Sequence, residues 1–76
     1  MIERSVAEQP LQQRIEMALT MNPYLPGKRV YFRADQGQVT LSGRVSSYFQ
    51  KQMAQESIRR VQGVEQIQNL LEVSWT

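Results

Sequence analysis

The 76-residue chain contains no cysteine and no histidine. Their absence removes disulfide staples, thiolate nucleophiles, imidazole bases and the two commonest zinc ligands together, and leaves the redox compartment unreadable. No apolar run approaches the roughly 20 residues that cross a bilayer, and the first ten residues, MIERSVAEQP, lack the apolar centre of a secretory leader. Taken as complete, such a chain stays in the cytoplasm. Glycine and proline are sparse, four and three residues, so each marks a definite place where an element turns or stops.

What the chain has is a composition suited to one ordered domain, with 41% hydrophobic and 21% charged residues. A domain this short buries only roughly 60% of the surface its unfolded chain exposes, so modest stability is expected. The formal charge of +2 is weakly basic, and seven of the nine cations are arginine, which can grip a phosphate or carboxylate through two parallel hydrogen bonds.

Residues 1–8 lack periodicity and are expected to form a flexible N-terminus, with a single domain over residues 9–76. Pro10 suits the first position of a helix, and Leu11, Ile15, Ala18 and Leu19 then follow the spacing of one helical face to about Thr20. Asn22-Pro23 ends it. Val30, Phe32 and Ala34, then Val39, Leu41, Gly43 and Val45, alternate with polar residues on either side of Gln36-Gly37, the pattern of a β-hairpin. A two-residue turn pairs Ala34 with Val39, Phe32 with Leu41 and Val30 with Gly43, putting the apolar set on one face. Ser47 and Gln50 have the form of a capping box opening a second helix to about Val61, with Ala54, Ser57, Ile58 and Val61 inward and Gly63 at its C-terminal cap. Ile67, Asn69, Leu71, Val73 and Trp75 share one parity and predict a third strand.

The fold class is therefore α+β: an α-β-β-α-β two-layer sandwich, two helices on one face of a three-stranded mixed sheet. The crossover through helix two makes strands two and three parallel and right-handed, with strand two central. The alternative places strand one in the middle and makes the sheet antiparallel throughout.

The helix ending in Asn22-Pro23, the D-x-G-x-V-x-L-x-G-x-V run from Asp35 to Val45, and the Gly63-Val64-x-x-Ile67-x-Asn69-x-Leu71-x-Val73 run resemble the BON domain family over about residues 11–73. The resemblance implies an α/β sandwich of bacterial envelope and stress proteins, attachment to phospholipid or a membrane surface, and, where the domain is part of a longer chain, an envelope or periplasmic location. The family glycines fall on Gly37, Gly43 and Gly63. Each has a structural reading: a turn, room for a helix to pack over the sheet, and a helix cap. Asn69, of inward parity, is expected to hydrogen-bond nearby backbone.

Acid–base catalysis needs a group that titrates near neutrality, and the carboxylates Glu3, Glu8, Glu16, Asp35, Glu56, Glu65 and Glu72 are scattered; no glycine pattern cradles a phosphate. The chain is expected to be non-enzymatic, without cofactor or metal. Two binding surfaces stand out. On the polar sheet face, Arg29, Tyr31, Arg33 and Arg44 form an anion or lipid-headgroup candidate, with Arg29 opposite Arg44; solvated arginines, one reaching Glu72, are the plainer alternative. On the helices, Phe49, Met53 and Arg60 with Met17 and Met21 form an apolar shoulder, either the edge of a core or a docking surface. The expected function is a binding module for an anionic phospholipid surface or an envelope partner protein. The alternative is a structural protein–protein module, oligomeric through an edge strand or the methionine shoulders. One outward aromatic, Tyr31, and a charge of +2 argue against nucleic acid.

Overall fold

A computed structural model describes residues 10–25 and 30–74. Helix α1 spans Leu11–Thr20, strands β1 and β2 span Val30–Asp35 and Gln38–Val45, helix α2 spans Tyr48–Arg59, and two short strands follow, β3 at Gln66–Asn69 and β4 at Glu72–Val73. Among the described residues the sheet order is β1-β2-β3, with β4 also paired to β2, so strand two is central as expected. The flexible N-terminus, Arg29 and Trp75 of the sequence reading lie outside the described residues.

The hairpin has the register that its alternation dictates, Ala34 facing Val39, Phe32 facing Leu41 and Val30 facing Gly43. Its turn places both central residues at positive φ, Gln36 at 51° and Gly37 at 85°, the type I′ geometry whose twist matches that of paired strands. The Gly37 carbonyl accepts hydrogen bonds from the N–H groups of Glu65 (2.7 Å) and Gln66 (3.1 Å). The hairpin tip thus holds the segment that opens β3.

The third strand is not continuous. β3 and β4 both run parallel to β2, Gln38 facing Gln66 and Arg44 facing Glu72, so one register persists across a break at Leu70-Leu71. At the break the Leu70 N–H still donates to the Leu41 carbonyl (2.9 Å), but the Leu71 N–H turns to the Asn69 side-chain oxygen (3.2 Å). On β2 the break faces Gly43, whose φ of +116° lies where an L side chain is strained. Backbone conformation thus favours glycine at this position.

Helix two is shorter than expected, because it ends at Arg59 with Arg60 as C-cap. Gly63 therefore sits beyond the cap, in the turn that the Val64 N–H closes onto the Val61 carbonyl (3.1 Å). At the other end the Gln50 N–H donates to the Ser47 hydroxyl (3.1 Å). The return arm of the box reaches one residue further back: the Gln50 side-chain oxygen accepts from the Ser46 N–H (2.7 Å).

The core lies between the helices and one sheet face: Ile15 and Leu19 from α1, Val39, Leu41 and Val45 from β2, Ala54 and Ile58 from α2, and Leu71 at the break. No polar or charged residue among those described is buried. Because both helices cover the same face, the other face of the sheet is left open among the described residues.

Candidate functional site

The two helices run antiparallel, which contacts at both ends establish. Near the start of α1, the Arg14 guanidinium donates to the Gln62 carbonyl beyond α2. Past the end of α1, the Asn22 amide donates to the Ser57 hydroxyl (2.5 Å) and, weakly, to the Met53 carbonyl (3.5 Å). The Asn22 side-chain oxygen accepts from the Tyr24 N–H (2.9 Å). The Gln50 amide then donates to the Tyr24 carbonyl (2.9 Å). Asn22 thus does more than end a helix: it ties the loop to the middle of α2 by side-chain hydrogen bonds.

Between the helices lies a groove of about 520 Å³. Met17, Ala18, Met21 and Val61 form its apolar floor, with Arg14, Arg60 and Gln62 around it. Among the described residues no carboxylate lines it, though Glu16 lines the adjoining depression that shares Met17 and Met21. Met21 is 74% exposed and Met17 is also exposed. Flexible thioether side chains adapt to irregular apolar surfaces. At the far end, Tyr24 packs edge-to-face on Phe49, ring centroids 5.2 Å apart, and both remain exposed, Phe49 at 50%. Met53 is half-buried between these regions in sequence. The fold thus joins Met17, Met21 and Arg60 in one groove and places Phe49 beside Tyr24.

The sheet face differs. Tyr31 is exposed and faces Ser42, and Arg33 faces Thr40 on the next strand. Arg44 lies beside Glu72, with Nε 3.9 Å from Oε1 and both side chains about three-quarters exposed, 73% and 75%. An ion pair so solvated contributes ~0–1 kcal/mol, but the nearby carboxylate offsets the arginine charge. Asp35 shares a shallow depression with Arg33, walled also by Gln38 and Thr40. Among the described outward residues the two arginines are thus matched by two carboxylates.

Three residues escape the sequence pattern. Arg14 belongs to the same helical stripe as Met17 and Met21, visible once the stripe is extended back one turn. Tyr24 lies in a proline-flanked loop with no periodicity to place it. Leu70 has outward parity between Asn69 and Leu71, and its exposure adds an apolar group to the sheet face. Asn69 is half-buried; its amide donates to the Lys51 carbonyl (3.0 Å) and the Gln55 side-chain oxygen (3.2 Å). It therefore links α2 to the strand break.

No described helix is long and apolar enough to cross a membrane. In comparisons with known proteins, the family model described as BON domain matches residues 7–74. No match was found among curated proteins.

Proposed function

Because the chain belongs to the BON domain family, a family of non-enzymatic binding domains, we propose that it docks on an anionic phospholipid surface through the groove between α1 and α2. The observation that carries this reading is the coincidence of exposed methionines with arginine in a groove that, among the described residues, no carboxylate lines. On the sheet face, by contrast, Glu72 and Asp35 accompany the arginines.

The physics favours shallow, reversible attachment. A cation held near an anionic leaflet contributes ~1 kcal/mol, and the exposed Arg60 supplies one. Insertion of Met17 and Met21 adds an apolar contribution proportional to the area they bury. A total of about 4 kcal/mol corresponds to a millimolar dissociation constant, weak for one domain and useful where several act together.

Co-sedimentation with vesicles tests the reading. Phosphatidylglycerol-containing vesicles should carry the protein down at low salt and release it as salt rises, neutral phosphatidylcholine vesicles should not, and Met17→Gln/Met21→Gln should abolish the difference. Equal recovery with both vesicle types, or binding untouched by the double substitution, would contradict it. If vesicles of neither type bind, docking of a partner protein in the same groove becomes the better reading.

A further inference from the structure

Strand β1 forms one border of the sheet, paired among the described residues to β2 alone. A two-residue turn makes Asp35 and Gln38 the hydrogen-bonded closing pair. Asp35, Arg33 and Tyr31 therefore turn their backbone N–H and C=O groups to β2, while Ala34, Phe32 and Val30 turn theirs to the open border. The side chains of these last three point to the helix layer, yet all remain half-buried. Val39 and Leu41, directly across the hairpin from Ala34 and Phe32, are 0% exposed. Helix α1 leaves a groove of about 300 Å³ along this border, where Leu19 and Thr20 line it with Val30 and Phe32, and Glu16 is the one charged residue among those described.

We propose that β1 is an interface with a second copy of this chain, the two β1 strands pairing antiparallel with Phe32 opposite Phe32 on the two-fold axis. Residues facing each other across an antiparallel pair must lie on the same face of the sheet. Centring on Phe32 engages residues 30–34 in full, with Val30 opposite Ala34. It also sets Tyr31 opposite the partner's Arg33, twice, at the closely spaced positions between hydrogen-bonded pairs. There the cation lies against an aromatic ring. Among the described residues Arg33 makes no ion pair that this contact would break. Centring on Ala34 instead pairs only residues 33–35 before the strand runs into its turn. Pairing at Phe32 satisfies the free backbone groups, covers the half-buried row, and removes an open strand border of the kind that otherwise invites nonspecific pairing. It joins two sheets with all four helices on one side, so the two helix grooves face the same way.

Sedimentation equilibrium of the whole chain, up to about 1 mM and without lipid, tests this independently of membrane docking. The wild-type protein should associate to dimers. Tyr31→Arg, which sets like charges opposite each other at two places, should weaken the dimer roughly tenfold. Tyr31→Glu sets a carboxylate opposite the partner's Arg33 and should dimerise at least as tightly, and Tyr31→Arg/Arg33→Glu should regain what Tyr31→Arg loses. Tyr31 is 62% exposed, so these variants should fold, which circular dichroism checks. A chain that stays monomeric throughout, or equal behaviour of Tyr31→Arg and Tyr31→Glu, overturns the proposal.

Discussion

Substituting Asn69→Asp exchanges one nitrogen for an oxygen with almost no change of shape. The new carboxylate keeps the bond accepted from the Leu71 N–H (3.2 Å), and Gln55 can turn its own amide to donate across the 3.2 Å contact. The Lys51 backbone carbonyl, 3.0 Å away, has no such freedom, and oxygen would face oxygen there. A lost hydrogen bond costs about 1 kcal/mol, and poor solvation of the half-buried carboxylate adds about 1–2 kcal/mol. The expected loss at neutral pH is thus about 2–3 kcal/mol. A chain of this length has roughly 4–11 kcal/mol to lose. Urea unfolding followed by circular dichroism reads it as a midpoint lower by about 2–3 M, for a slope near 1 kcal/mol/M. The sign of its pH dependence is fixed by the same contact. Once protonated, the introduced carboxyl can donate to the Lys51 carbonyl, so folding favours the protonated form and raises the folded pKa above the unfolded value of about 3.9. The variant should approach wild-type stability below about pH 4, and its deficit should grow as pH rises from there to the raised folded value and level off above it. A deficit under about 0.5 kcal/mol at pH 7, or one unchanged between pH 4 and 7, would refute the reasoning.

Two further substitutions probe the hairpin and the helix start. Gly37→Ala forces an L side chain to a φ of +85° and brings its Cβ within 3.2 Å of the Gly63 carbonyl oxygen; thermal unfolding should show a loss of about 2–3 kcal/mol. Ser47→Ala removes the hydroxyl that caps the Gln50 N–H and should cost about 1 kcal/mol by urea titration, with Ser47→Asp restoring most of it.

The hairpin was legible because period-two alternation on both sides of Gln36-Gly37 leaves one register with every apolar residue inside. Helix α1 was legible for a similar reason, its apolar residues falling on a single stripe closed by Asn22-Pro23. The strand break was not. Parity runs unbroken from Ile67 to Val73, and the register is the same on both sides, so alternation carries no trace of an interruption that lies in the backbone at Gly43 and Leu71. The end of α2 was overrun because Val61 continues the helical spacing, although the chain has already turned at Arg60. For the helix groove, the methionine and arginine positions could be named, but their union depends on antiparallel docking set by Asn22 and Ser57, residues 35 apart in sequence. The charge matching of Arg44 by Glu72 likewise depended on which strand lay beside β2, for which the pattern left two arrangements.

The grip of two N–H groups on the Gly37 carbonyl has a consequence for how the chain assembles. A parallel strand returning from a helical crossover has no short connection to fix its alignment, and could slide by two residues without turning its oily side to water. The hairpin, whose closure needs only local contacts, offers the incoming segment a single fixed docking point, and a slide in either direction forfeits both bonds. The tip of β1–β2 thus sets the origin from which the remaining ladder is counted, through the break and on to β4.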